Sequence, residues 1–436
     1  MRIAIITENF LPKVDGVTRT LARLLEHLQE TEHQVLLLGP ESNQTEYAGA
    51  TLLGTAGIPF LPYPELKLNL WRPAFTQKLI EFEPDVIHLV DPVWLGAAGL
   101  AVSRYYLPNT PLISSYHTNL ATYCGHFGWG FFTPLMWRWN RFCHSYCQYI
   151  VCPSKSTSRM LESQGFEDDH LRIWPRGVDM SMFSPSRRST ALRAQWMGVE
   201  EEEAHSKAVI LYVGRVSFEK NLDLVVEAYK RMNHHKCHLV IVGHGPAFDV
   251  IQSECAQTNT PVTFTGYLQG IQLAAAYASA DIFAFPSVTE TFGQVVLEAM
   301  ASGLSVAGLK AEGVRDLVDH GRTGTLLDVR NVPRDQQIVK YEQHLSNLVD
   351  NPDMRRRMSR AALDKAKRYT WREAMEVMVR TYRDAIIAKN PYFAKEDLST
   401  ADHHSSDSGV EEDFPTDSNN NSHYNTYSSI PAASSS

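Results

Sequence analysis

Short apolar runs rich in β-branched residues recur along this chain, and segments with apolar residues at helical spacing separate them. This alternation predicts parallel strands joined by crossover helices. In the first half the predicted strands are Ile3–Ile6, Gln34–Leu38, Val86–Leu89, Pro111–Tyr116 and Tyr149–Cys152. After the acidic run 200–203 the pattern restarts, with strands predicted at Val209–Val213, His238–Val242, Val262–Phe264, Ile282–Phe285 and Ser305–Leu309. We therefore predict an α/β fold of two doubly wound, Rossmann-like domains.

The composition changes near the C-terminus, where Ser, Asp, Asn and His replace apolar residues. Such a segment buries too little apolar surface to offset the entropy lost on ordering it. We predict a first domain over residues 1–190, a second over 191–385 and a disordered tail over 386–436. Because ligands of doubly wound sheets bind at the carboxyl ends of the strands, the two domains are expected to face each other across a cleft.

Charge and hydropathy exclude several classes of protein. The formal net charge of the 436 residues is −8, and no nucleic-acid partner is expected because phosphate backbones are bound by clustered cations. The N-terminal apolar run is too short for a signal peptide, and no stretch of about 18 apolar residues is present. We expect a cytoplasmic enzyme with reduced cysteines.

Four of the six cysteines lie in a stretch of the first half that also contains histidines, which raises the question of a zinc site. No C-x2-C pair is present, and buried thiols are common as small apolar residues. The sequence therefore predicts no metal site. The residues concerned are Cys124, Cys143, Cys147 and Cys152, with His126 and His144.

Two cations follow a predicted strand in the second half. Gly214 ends the strand, Arg215 and Lys220 stand five residues apart, and a helix is predicted to begin near Leu222. The fork of an arginine can bind two phosphate oxygens, and a lysine adds a point charge at a helix N-terminus, where anions are already favoured. The pattern is typical of a phosphate site, although a basic pair on a surface connection explains it equally well.

Two acids follow another strand. Phe285-Pro286-Ser287 ends this strand, Glu290 stands in the loop, and Glu298 lies within an apolar helical run. The helix dipole accounts for an acid at the position of Glu290, but Glu298 needs polar partners because it is expected to be buried. Ribose hydroxyls would supply them. The backbone N–H groups of Phe292 and Gly293 would point at a phosphate or a sugar hydroxyl.

This acidic segment, with Ala299–Gly303 after it, resembles the Glu-x7-Glu donor motif of the retaining family-four glycosyltransferases. The resemblance covers nearly the whole of the chain before the predicted tail. The first half is similar to the branch that transfers sulfoquinovosyl and mannosyl groups in glycolipid synthesis. The segments that carry this similarity are Thr7–Val17, Ile87-His88, Ser115–Asn119, Pro153-Ser154 and Trp174–Asp179. The resemblance implies the GT-B fold and transfer of a hexosyl group, from GDP-mannose or a UDP-sugar, with retention of configuration.

The resemblance also implies roles for individual residues. Arg215 and Lys220 would bind the donor diphosphate, Glu298 would hold the ribose, and Glu290 would contact the donor sugar. His117 matches the active-site histidine of the family, which lies near the donor sugar; a histidine with satisfied hydrogen bonds at a strand end is the alternative.

Gly16 would approach the diphosphate from the facing domain, because it has no Cβ. Asp15 departs from the family pattern, since many relatives have a second glycine there.

The implied reaction takes place on one face of the sugar, and the leaving phosphate accepts the proton of the acceptor. Arg215, Lys220 and the helix amides would stabilise that phosphate. No Asp-x-Asp pair occurs in the part of the chain predicted to be ordered, so we expect no metal ion and no other cofactor.

Other classes of protein fit the sequence pattern to different degrees. A nicotinamide dehydrogenase needs G-x-G-x-x-G after the first strand, where this chain has Thr7-Glu8-Asn9. The G-x-G at Gly243-His244-Gly245 follows a later strand and runs into Pro246, so it does not supply that motif. A sugar-nucleotide epimerase of GT-B fold and a non-catalytic sugar-nucleotide-binding protein are the alternatives to a transferase.

The stretch Tyr123–Phe142 combines Trp and Phe with Arg138 and Arg141. This composition suits a membrane interface, and a buried helix is the alternative. The expected partners are a nucleotide-sugar donor, a lipid or glycolipid acceptor and a membrane in peripheral contact.

Overall fold

The computed structural model describes residues 1–11, 15–60, 63–119 and 130–390. The first sheet has eight strands, which are β1 (Arg2–Thr7), β2 (Gln34–Pro40), β3 (Glu46–Tyr47), β4 (Ala50–Thr55), β7 (Val86–Val90), β8 (Leu112–Ser115), β9 (Tyr149–Cys152) and β10 (Leu171–Ile173). Their order across the sheet is β10-β9-β8-β7-β1-β2-β4-β3, and only β3 runs antiparallel to its neighbour. A separate antiparallel pair consists of β5 (Gly57–Phe60) and β6 (Tyr63–Asn69).

The second sheet has six parallel strands in the order β13-β12-β11-β14-β15-β16. They are β11 (Ala208–Val213), β12 (Cys237–Val242), β13 (Val262–Gly266), β14 (Ile282–Phe285), β15 (Ser305–Leu309) and β16 (Gly324–Leu327). All ten predicted strands are present, which confirms two doubly wound sheets. The strands that the pattern did not predict are short, half-exposed or without a continuous apolar run.

Fourteen α-helices connect and cover the sheets within the described ranges. They are α1 (Gly16–Glu30), α2 (Pro73–Phe82), α3 (Leu95–Tyr106), α4 (Thr133–His144), α5 (Lys155–Ser163), α6 (Thr190–Met197), α7 (Leu222–Lys230), α8 (Phe248–Gln257), α9 (Gly270–Ser279), α10 (Gln294–Ala301), α11 (Val314–Leu317), α12 (Arg334–Asp350), α13 (Pro352–Ala366) and α14 (Trp371–Lys389). None of these helices is long and apolar enough to cross a membrane.

Helices on both faces explain why the central strands are apolar throughout. All six residues of β11 are buried, and so are five of the six in β1. In β1, Ile3 and Ile5 pack into one cluster while Ala4 and Ile6 pack into another, because successive side chains point to opposite faces. Each sheet is thus the middle layer of three.

The last helix returns to the first sheet. Met378 and Tyr382 of α14 are buried in the same cluster as Ile3 and Ile5, and the Tyr382 hydroxyl lies 2.8 Å from Nδ1 of the buried His88. The predicted boundary between residues 385 and 386 falls inside this helix, which extends to Lys389. Helical spacing predicts an amphipathic helix but not which sheet it covers. Residues 391–436, the rest of the predicted tail, lie outside the described residues.

Candidate active site

Loops at the carboxyl ends of both sheets carry the predicted site residues. In the first sheet, Gly16 follows β1 and His117 follows β8. In the second, Arg215 and Lys220 follow β11, and Glu290 follows β14. The parallel strands fix this arrangement, because all of their carboxyl ends lie at the same edge of a sheet.

Lys220 and Glu290 form an ion pair between two loops of the second sheet. The Lys220 Nζ lies 2.5 Å from Oε1 of Glu290, which also accepts a hydrogen bond from the Ser287 hydroxyl at 3.3 Å. Burial alone would raise the pKa of Glu290, but the charge and hydrogen bond of Lys220 and the hydrogen bond from Ser287 hold it below its ordinary value. Glu290 is therefore a carboxylate at neutral pH. Both side chains are about one-fifth exposed, at 20% and 21%, so a ligand can reach them.

The loop that carries Arg215 packs closely against the Gly243-His244-Gly245 loop. The Tyr212 hydroxyl donates to the carbonyl of Arg215 at 2.9 Å. A Cβ on Gly243 would lie 2.0 Å from the carbonyl oxygen of Gly214, and Gly243 has a φ of 132° that favours glycine. The Gly243-His244-Gly245 triplet thus allows two loops to meet beside Arg215.

Glu298 is buried in α10, as the sequence predicted, with 2% of its surface exposed. The Tyr277 hydroxyl donates to its Oε2 at 3.1 Å, and Nη1 of Arg19 in α1 lies 3.6 Å from its Oε1. Burial raises the pKa of Glu298 to about 7, although Arg19 and the hydrogen bonds act in the opposite direction. The protein itself therefore supplies some of the polar partners that we had expected from ribose.

Phe292 and Gly293 form the turn into α10. Gly293 occupies the N-cap position of α10 and has a φ of 94°. Residues with a Cβ rarely adopt such a positive φ. Phe292 is 4% exposed, and its backbone lies so close to Gly313 that a Cβ there would be 2.7 Å from the Phe292 nitrogen. This packing sets the direction in which α10 leaves the loop.

His117 lies in the first half, at the end of β8, and is 6% exposed. Its backbone N–H donates to Oδ1 of Asp91 at 2.7 Å, and the Thr118 hydroxyl donates to Oδ2 of the same carboxyl at 3.0 Å. Burial raises the pKa of Asp91 to about 6 against the effect of these hydrogen bonds. Asp91 directly follows β7, so its position at a strand end was the only sequence signal that could have identified it.

Arg176 is a second residue that the sequence did not predict for the site. It is 6% exposed, and its Nη1 donates to the carbonyl oxygen of Gly16 at 2.8 Å. Its Nη2 lies 3.4 Å from Nδ1 of His117. Burial lowers the pKa of Arg176 to about 10, with Glu290 the largest opposing charge, so the guanidinium remains a cation. Gly16 and His117 are thus brought together by a buried arginine.

One residue of the second half connects the two sets of loops. The Thr291 hydroxyl donates to the carbonyl oxygen of His117 at 2.9 Å. Its own carbonyl accepts from the hydroxyls of Ser154 at 2.8 Å and Thr157 at 3.0 Å. Thr291 follows Glu290 directly, so these hydrogen bonds hold the loop that carries Glu290 beside His117.

The cysteines contribute no cluster of metal ligands within the described ranges. Cys143, Cys147 and Cys152 are buried thiols, and burial raises the pKa of each to about 12. In the part of the chain that the structure describes, no group of three His, Cys, Asp or Glu side chains could hold a metal ion. Cys124 and His126 lie outside it.

Two family profiles match successive parts of the chain. The family profile described as Glycosyltransferase Family 4 matches residues 14–182, and the profile described as Glycosyl transferases group 1 matches residues 199–365. The sucrose-phosphate synthase structure from Thermosynechococcus elongatus superposes with a TM-score of 0.73 at 18% identity, covering 89% of this chain and 99% of that one. This likeness shows the GT-B fold.

Three curated relatives are similar over most of their length. The GDP-mannose-dependent alpha-mannosyltransferase of Corynebacterium glutamicum is 32% identical over 88% of this chain and 89% of its own. The sulfoquinovosyl transferase SQD2 of Arabidopsis thaliana is 30% identical over 86% and 71%. The alpha-monoglucosyldiacylglycerol synthase of Streptococcus pneumoniae is 25% identical over 75% of each chain. The chain therefore belongs to the retaining family-four glycosyltransferases of GT-B fold.

Proposed function

We propose that this enzyme transfers a mannosyl group from GDP-mannose to a lipid or glycolipid acceptor at a membrane surface. The observation that carries the proposal is the meeting of the Lys220–Glu290 pair with His117 and Arg176 at facing strand ends. On this proposal Arg215 and Lys220 meet the charges of a nucleotide diphosphate sugar, and Glu290 and Glu298 meet its hydroxyls.

Each part of the donor has a group of matching chemistry in this arrangement. Arg215 and Lys220 bind the diphosphate and stabilise the charge that develops on the leaving phosphate. Glu298 accepts hydrogen bonds from the ribose hydroxyls. Glu290 and His117 contact the sugar. The reaction needs charge stabilisation and positioning from these residues, and we propose that it proceeds without a metal ion.

The names of the relatives support the choice of donor and acceptor. The relative with 32% identity is named for GDP-mannose and mannosyl transfer, and the diacylglycerol synthase is named for a lipid product. A UDP-sugar is the second candidate for the donor, because the site residues bind diphosphate, ribose and sugar whichever base is attached.

The exposed face of α4 supports an acceptor held at a membrane. Leu135, Trp139 and Phe142 follow one another at helical spacing and are 58%, 40% and 50% exposed. Arg138 and Arg141 flank them and are also exposed. An apolar stripe bordered by arginines suits an interface between anionic headgroups and acyl chains. The opposite face of the helix packs on the first sheet, where Trp137 joins a core cluster and Cys143 and His144 are buried, so only the exposed face would meet a membrane.

The experiment measures thermal stability and transfer with a panel of GDP-, UDP- and ADP-sugars, with and without EDTA. A ligand at 100 times its dissociation constant stabilises the protein by about 2.7 kcal/mol. We expect GDP-mannose to raise the melting temperature most and to label a diacylglycerol-based acceptor, with EDTA having no effect. Arg215→Ala should remove the shift, and Arg172→Ala, an exposed position of the edge strand β10, should keep it. A shift with a UDP-sugar alone would refute the choice of donor, and loss of activity in EDTA would refute metal independence.

A further inference from the structure

Two buried polar atoms in the active site have no hydrogen-bond partner among the described residues. They are Nε2 of His117 and Nε of Arg176. Only 6% of the surface of each residue is exposed. Buried polar atoms in folded proteins are nearly always hydrogen-bonded, so such an atom in a site indicates a ligand that completes it. The two side chains also contact each other.

The contact between them restricts the protonation of His117. Burial, followed by the charge of Arg176 and the nearby His88, lowers the pKa of His117 well below its ordinary value, so the ring is neutral. A guanidinium has hydrogen-bond donors and no acceptor. Because Nη2 of Arg176 faces Nδ1 of His117 at 3.4 Å, Nδ1 must carry the lone pair. The proton of the neutral ring then lies on Nε2, the atom without a partner.

The surroundings hold both side chains in place. The ring of His117 meets Trp174 edge to face, with centroids 5.4 Å apart. Arg176 is fixed at its other end by the Gly16 carbonyl, and a Cβ on Gly16 would lie 2.8 Å from Nη1. Glu290, Asp15 and Asp91 are the acidic groups that face the guanidinium. Arg176 therefore has little freedom to move away from His117.

We propose that Arg176 is a positioning residue: it fixes His117 as an Nε2–H donor, aimed at a hydroxyl or ring oxygen of the donor sugar. The inference rests on the proposed function for its ligand, and it adds the residue that sets the tautomer. Arg176 acts through His117 rather than on the diphosphate. Its effect should therefore appear in the chemical step and not in the affinity for the nucleotide.

The first test needs only the unliganded full-length enzyme. Nitrogen-15 histidine NMR, with His117 assigned by its loss in His117→Gln, should show a neutral ring protonated on Nε2. In Arg176→Met the signals should move toward a mixture of the two tautomers. A ring of the wild-type protein protonated on Nδ1 would overturn the proposal. This readout does not depend on which donor or acceptor is used, so it stands even if the proposed function fails.

The second test is a double-mutant cycle in the transfer assay. Arg176→Met should lower kcat by about 10- to 100-fold, the range found for groups that orient metal-ligating histidines, with the donor KM changed less than about threefold. In a His117→Gln background the same substitution should cost nothing further. Arg176→Lys, which keeps the charge but not the fork, should recover only part of the loss. Arg172→Met serves as the control and should leave kcat unchanged.

Two results of the cycle would overturn the proposal. An equal loss in both backgrounds would mean that Arg176 acts independently of His117. A large rise in donor KM at unchanged kcat would mean that Arg176 is a diphosphate-binding cation. Should Arg176→Met fail to fold, Arg176→Lys carries the cycle with the same expected coupling.

Discussion

Glu298→Gln should make the unliganded enzyme more stable at alkaline pH while weakening its binding of the donor. Glu298 is 2% exposed, and burial raises the pKa of its carboxyl to about 7 in the folded protein from an ordinary value of 4.5. A group with a raised folded-state pKa stabilises the fold fully below its unfolded pKa and loses that contribution as the pH rises through the folded value. Glutamine does not ionise, and its amide oxygen can still accept from Tyr277.

The magnitude follows from the two pKa values. Each unit of difference corresponds to 1.36 kcal/mol, so a shift from 4.5 to about 7 destabilises the ionised, folded protein by about 3 kcal/mol. Of this, about 2 kcal/mol develops between pH 5.5 and pH 8. For a domain of this size 1 kcal/mol moves the melting temperature by about 2–4 °C. The gain of Glu298→Gln over the wild type should therefore be about 4–8 °C larger at pH 8 than at pH 5.5.

The assay is a thermal melt of both proteins at the two pH values, with and without the donor. Glu200→Gln, which removes an exposed carboxylate from the segment between the sheets, is the control and should show no such difference. Donor-induced stabilisation should fall in Glu298→Gln, because ribose loses a charged acceptor. A gain that is the same at both pH values would refute the reasoning, since it would mean that Glu298 does not titrate in this range.

Three further predictions concern other parts of the molecule. Lys220→Ala should lower kcat by more than about 100-fold, since the leaving phosphate loses a cation, whereas Lys236→Ala, at the opposite end of the second sheet, should keep full activity. Gly243→Ala should destabilise the fold by about 1–3 kcal/mol, because its Cβ would overlap a carbonyl oxygen of the neighbouring loop, and a thermal melt measures the loss. Trp139→Ser combined with Phe142→Ser should abolish flotation with anionic liposomes while leaving donor binding intact; unchanged flotation would remove α4 from the membrane contact.

Sequence patterns predicted the elements whose signal is local. Central strands such as β1 and β11 are continuous apolar runs because both of their faces are covered, and their ends were predicted within one or two residues. The Lys220–Glu290 pair could be anticipated because each residue follows a central strand of the same sheet. Glu298 was identified by its position inside an apolar helical run, because a carboxylate buried there needs polar partners.

Residues brought together from distant segments gave no comparable signal. Arg176 lies 59 residues from His117 and 160 from Gly16, and an arginine beside a glycine is unremarkable in a sequence. Arg19 lies on the exposed side of a helix turn and reaches Glu298 only because the two halves meet. The return of α14 to the first sheet was missed for the same reason. Local periodicity specifies an element and its apolar face, while the identity of the surface it covers is a tertiary property.

The charged side chains of the site are arranged in pairs, and this has a consequence for how the proposed donor binds. Lys220 is engaged with Glu290, and Arg19 lies beside Glu298, whereas Lys220 and both acids also contact the donor in the proposed function. A diphosphate that attracts Lys220 leaves the Glu290 carboxylate less well paired, and that cost is recovered only if a sugar hydroxyl donates to Glu290. Because a buried charge without a partner is expensive, a nucleoside diphosphate without its sugar satisfies the site incompletely. The pairing therefore favours the complete nucleotide sugar over the product that leaves after transfer.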